Sequence, residues 1–138
     1  MSLEAARDAI DAAIAHAADL GVEAVVSVVD AGGHLVALGR MDGAAIIAVR
    51  MSGDKAYTAA VTRMPTAEWH PLVQPGEPLF GLTSAEAGRI ITFGGGLPLE
   101  AEGEVVGAIG VSGGSVPEDV AIAEAGVRAW RPASWTGA

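Results

Sequence analysis

The run from Gly103 to Gly114, Gly-Glu-Val-Val-Gly-Ala-Ile-Gly-Val-Ser-Gly-Gly, constrains this chain more than any other segment. Alternation along Glu104 to Ser112 puts Val105, Gly107, Ile109 and Val111 on one face of a strand, and Val106, Ala108, Gly110 and Ser112 on the other. The second face is mostly small. Such a strand has to lie beneath a helix or another layer at short distance. Leu97 to Glu100 precedes it across Glu102-Gly103, so the pair predicts a hairpin.

A second hairpin is expected near the start. Ala24 to Val29 is a continuous β-branched run that suggests a strand covered on both faces, and His34 to Arg40 returns after the turn Asp30-Ala31-Gly32-Gly33. Leu3, Ala6, Ile10, Ala13, Ile14, Ala17 and Leu20 share one stripe of a helix over 3–20, with Gly21 placed as its left-handed cap. Residues 45–62 and 117–130 read as two further helices, Gly53 weakening the first and Pro117 opening the second. Between them, 63–88 holds Pro65, Pro71, Pro75 and Pro78 and predicts short turns and loop, while Ile90 to Phe93 reads as a short strand. The order α-β-β-α-loop-β-β-β-α predicts an α+β fold, an antiparallel sheet with helices packed on it. A single domain is expected over 1–130, with 131–138 as a loose tail.

The chain has 138 residues, enough for one core, and 51% of them are apolar but only 4% aromatic, so that core is built of Ala, Val, Ile and Leu. A formal charge of −9 argues against nucleic acid and against an anionic membrane surface, both of which need a basic footprint. The absence of cysteine excludes disulfides, thiolate catalysis and iron–sulfur clusters. Met1-Ser2-Leu3-Glu4 has neither a basic start nor an apolar core of a signal peptide, and no stretch is long and apolar enough to span a bilayer, so the cytoplasm is the expected location.

The basic residues are scarce and clustered: Arg40, Arg50, Lys55 and Arg63, four of eight cations, fall within 24 residues. They read either as an anion site built on charge-assisted hydrogen bonds or as surface ion pairs with Asp42 and Asp54. Of the three histidines, His16 sits at the edge of the apolar stripe of the first helix, His34 starts a strand, and His70 lies beside Trp69 in the irregular loop. No two share an i, i+4 face, so a zinc or facial-triad iron site is not signalled. Gly94-Gly95-Gly96 and Gly110-x-x-Gly113-Gly114 read as tight packing more readily than as a phosphate cradle, since no lysine follows them as in a P-loop. Ser112 sits in a partial Gly-x-Ser-x-Gly pattern, but Pro117 delays the helix and the sheet is not a parallel hydrolase sheet. Trp69, Trp130 and Trp135 read equally as interface plugs and as core.

Several motifs in order resemble the GlcG/HbpS family, which includes a domain appended to some corrinoid adenosyltransferases. They are Val28 to Ala37 through Asp30-Ala31-Gly32-Gly33, Arg40-Met41-Asp42-Gly43-Ala44, Lys55-Ala56-Tyr57-Thr58-Ala59, Gly95-Gly96-Leu97-Pro98-Leu99, the Gly103–Gly114 run, and Glu118-Asp119 with Ala123-Glu124-Ala125. The resemblance implies a profilin-like domain with a five-stranded antiparallel sheet, homo-oligomers, and haem binding in some members. It makes Lys55 the first choice for an anionic group, with Arg40, Arg50 and Tyr57 beside it, and His16 or His70 the axial ligand of a haem. The acidic Glu-x-x-Glu pair of iron-binding members is missing; Asp8-x-x-Asp11 stands nearest to it. Three functions follow. A haem- or small-molecule-binding module would use Arg40 and Lys55 for the anion. A small cofactor-independent enzyme acting on a carboxylic acid or diol-derived metabolite would use Lys55, Tyr57, Asp42 or His70 as acid or base at a subunit interface. A structural oligomeric subunit would bind nothing.

Overall fold

The structure is a computed structural model that describes residues 1–133. Its sheet has four antiparallel strands in the order β2-β1-β4-β3: β1 Val25–Asp30, β2 Leu35–Arg40, β3 Gly96–Ala101 and β4 Glu104–Ser112. Helices α1 (Leu3–Leu20) and α3 (Val116–Ala129) pack together on one face, and α2 (Ile47–Thr62) covers the other. Two 3-10 segments, Thr66–Leu72 and Phe80–Gly88, fill the proline-rich stretch.

The helix ends follow local chemistry. The Ser2 hydroxyl accepts from the Ala5 N–H, and Gly21 closes α1 at φ 71°. Ser115 and Glu118 form a capping box ahead of α3, with Pro117 in its first turn. β1 sits between β2 and β4 and is buried nearly throughout, as its unbroken Val run implies. Val26 and Val28 meet the α1–α3 layer together with Ile109, Val111, Leu99 and Ile122. Val29 and Ala108 meet Ala56, Ala59 and Ala60 of α2.

The small face of β4 explains the close approach of α2. A Cβ on Gly110 would strike the α2 backbone at Ser52 and Ala56. Val106 departs from the expected alternation. A bulge opposite Leu99 and Glu100 leaves Val106 without a partner and turns it against the α1–α3 core.

The expected fifth strand at Ile90 to Phe93 is absent, so the sheet has four strands and not five. The segment lies along α2, where one side chain, Thr58, bonds the backbone at its start. Ile91 donates its N–H to Thr58 Oγ1 (3.0 Å), and the same hydroxyl donates to Arg89 O (3.1 Å). Trp130 caps α3 inside the core, Trp69 is half-buried with its Nε1 donating to Thr62 Oγ1, and Trp135 lies outside the described residues.

Candidate functional site

Two charged clusters grow from α2. The first is sealed. Lys55 is 1% exposed, against the expectation of a surface cation. Its Nζ passes the end of β4, donating to Val111 O at 2.8 Å, and meets Asp119 Oδ2 of α3 at 2.9 Å. Asp119 Oδ1 accepts the Gly114 N–H at 2.8 Å, and the Phe93 ring lies 5.2 Å from Nζ. Gly95, at φ 126°, leaves the ammonium its space, since a Cβ there would come within 2.7 Å of Nζ. Burial pushes the Lys55 ammonium down from its ordinary range and the Asp119 carboxyl up, each against the attraction of the other. The pair thus ties the helix on one face of the sheet to a helix on the other. The glycines at 94–96 serve packing too: a Cβ on Gly94 would meet Val120, and one on Gly96 would meet the Lys55 carbonyl.

The second cluster is open. Arg50 Nε donates to Asp54 Oδ2 at 3.3 Å, and Arg89 Nε lies 3.5 Å from Asp54 Oδ1. The Arg89 guanidinium stacks on the Tyr57 ring at 3.5 Å, and the Tyr57 hydroxyl donates to Glu86 Oε2 at 3.0 Å. That hydrogen bond holds the Tyr57 pKa above its ordinary value, with the small burial and the Glu86 charge adding to it. Glu86 and Ala87 adopt left-handed backbone (φ 53° and 55°), a conformation costly for residues with a Cβ and fixed here beside the Tyr57 and Arg89 contacts. Arg50, Asp54 and Arg89 edge a groove of about 270 Å³ between α2 and the sheet, floored by Val29, Leu38 and Val49.

Of the sequence candidates, Arg50 and Tyr57 therefore share one network, while Lys55 is turned away from it. Arg40 is exposed and donates to Ala44 O (3.1 Å). It stands on β2, two ladders from the β4 carbonyl that Lys55 uses, so the two cations do not converge. Asp42 is exposed in the turn after β2. Arg63 ends α2 in left-handed backbone. Arg89 and Asp119, central to the two clusters, were not candidates from sequence; Asp119 was visible only as part of the resembling motif and Arg89 only as one of few cations.

His16 is half-buried. It lies two turns beyond Ala9, whose carbonyl faces Gly126, and so sits on the α3 side of α1. His70 is exposed, near Gln74, on the 3-10 segment that packs against α2 and β3. The two histidines thus stand on opposite sides of the sheet. His34 is exposed and hydrogen-bonded to Asp30 (3.2 Å). Among the described residues no group of three or more His, Asp or Glu could hold a metal ion, and no helix is long and apolar enough to cross a membrane.

A family model described as "Haem degrading protein HbpS-like" matches residues 1–128. An uncharacterized 15.0 kDa protein from the dhaT-dhaS intergenic region of Citrobacter freundii is 44% identical over 124 residues, 90% of this chain and 87% of that one. The corrinoid adenosyltransferase PduO of Citrobacter freundii is 42% identical over 118 residues, 86% of this chain but 35% of the adenosyltransferase. Among solved structures, a PduOC:heme complex superposes with a TM-score of 0.90 at 38% identity, covering 94% of each chain. The fold, the ordered motifs and these matches agree: the chain belongs to the HbpS-like family, the GlcG/HbpS group that its sequence resembles.

Proposed function

We propose that this protein is a haem-binding module of the HbpS type that works as a homo-oligomer. The observation that carries the reading is the likeness over nearly the whole of both chains to a domain solved as a haem complex. The chain's own residues fit such a ligand. Haem iron takes imidazole, and half-buried His16 offers a nitrogen at the border of the apolar α1–α3 layer. Exposed Arg40 pairs with Val25 on the α2 face of the sheet, across from His16, so it would reach the propionate of a haem held by the His16 of another copy. Bound haem would supply an iron centre; the chain would supply the axial nitrogen, an apolar wall and a cation. One chain leaves His16 half-buried, so a second copy would close the site. On the other face of the sheet, exposed Ile46 (78%) and Ile47 (67%) at the start of α2, with Leu79 and Phe80 in the proline-rich stretch, give a further copy apolar surface to cover.

Haemin titration tests the reading. The expected result is a saturable, sharpened Soret band with a stoichiometry near one per chain or per interface, altered more by His16→Ala than by His34→Ala. A weak, non-saturating shift that survives replacement of all three histidines would mean adsorption, and would return the small-acid enzyme and structural readings.

A further inference from the structure

The open cluster on α2 asks for something outside the chain. Gly53 lies in the middle of α2 and lines the groove, yet a Cβ there would meet nothing within 4 Å. Glycine costs a helix interior roughly 0.5–1 kcal/mol relative to alanine. Nothing in the described fold requires it. A Cβ on Gly110, by contrast, would strike the α2 backbone, and one on Gly126 would strike the Ile109 side chain. The empty space beside Gly53 opens over Val29 and Val49, with Leu35 at its edge 62% exposed. Its polar end is Arg50 and Arg89, both bound to one carboxylate, Asp54, through Nε. That mode leaves the Nη groups of each guanidinium for a further acceptor. Two guanidiniums face one carboxylate among the residues that line the groove, and Glu86, bound to the Tyr57 hydroxyl beyond Arg89, balances the wider network, so an anion here would be held by the free guanidinium donors and not by net charge. Tyr57 stacks under Arg89 and is itself held by Glu86, so the guanidinium is fixed in place before a ligand arrives.

We propose that this groove binds a small organic monocarboxylate with an apolar body. The carboxylate would take the Nη edges of Arg50 and Arg89, and the body would lie along Val29, Leu38 and Val49 beside Gly53. A volume of about 270 Å³ sits below the ~300–1,000 Å³ of pockets for larger ligands. No histidine lines the groove, so it is separate from a haem site at His16.

Hexanoate, with hexanamide as the uncharged control, is the probe, followed by amide shifts in the nuclear magnetic resonance spectrum of the full chain. Hexanoate should shift signals of β2 and α2 saturably, and hexanamide should bind at least about tenfold more weakly because it lacks the charge-assisted contacts. Arg89→Gln should cost at least about tenfold as well. Gly53→Leu should abolish binding while the protein stays folded, because its side chain enters free space and improves helix propensity. Haemin binding by the same variant checks that the rest of the molecule is intact. Hexanoate binding undiminished by Gly53→Leu overturns the proposal. So does a Gly53→Leu protein that changes its assembly state while hexanoate never saturates the wild type, a result that assigns the groove to a second copy.

Discussion

Asp54 and Lys55 are neighbours on α2 and end in opposite circumstances. Lys55 enters the sheet, is closed off from water, and pairs with Asp119 of α3 across the end of β4. Asp54 sits at the rim of a groove with a half-exposed guanidinium, Arg89, on one side and a largely exposed one, Arg50, on the other. Helical geometry turns adjacent residues by about 100°, so one helix can carry a fold element and a ligand element side by side. The difference is in what surrounds the charge. A buried pair is cut off from water and each charge depends on the other for compensation, while a solvated network keeps donors within reach of a newcomer.

This contrast can be broken by substitution. The largest effect is expected at Lys55. Lys55→Met leaves the Asp119 carboxylate buried without its partner and should cost about 3–5 kcal/mol in urea unfolding. Lys55→Met with Asp119→Leu should recover most of that loss, because an apolar pair needs no compensating charge. A Lys55→Met protein as stable as the wild type would remove the sealed pair from the account. The glycines sharpen the comparison at a smaller scale. Gly110→Ala forces a methyl group into the α2 backbone and should destabilise by about 1–3 kcal/mol. Gly53→Ala should instead stabilise by up to ~1 kcal/mol, since its methyl meets nothing and the helix gains. Thermal melts of the two variants moving in the same direction would contradict the distinction between packed and open glycine.

How much of this was legible in the sequence depends on the range of the interactions involved. Local patterns carried far. The helix over 3–20, the cap at Gly21 and the strand Glu104–Ser112 match the structure in their bounds, because periodicity and capping act within a few positions, although Leu3 and Leu20 of the stripe are exposed and Ala5 and Ala9 join the core instead. The small face of β4 correctly called for a close layer, although the bulge that turns Val106 over left no local mark. Ile90 to Phe93 has the composition of a strand, but Thr58 of α2 takes the Ile91 N–H, and composition cannot report a competitor more than 30 positions away. The site fared likewise. Arg50 and Tyr57 were singled out for an anion and do join one network. Lys55 was read as its leading member, but the residue that decides its fate, Asp119, is 64 positions distant. Arg89 closes a stretch with no periodicity, so nothing in its neighbourhood pointed to α2.

The most direct test of the account is native mass spectrometry of the haemin-loaded protein, which counts chains and haems in the same particle. The account predicts a dimer or larger assembly of the 13.8 kDa chain carrying haem in a fixed ratio to chains, with that ratio falling in His16→Ala. A bare 13.8 kDa monomer that retains no haem, or a haem ratio untouched by His16→Ala, would contradict it.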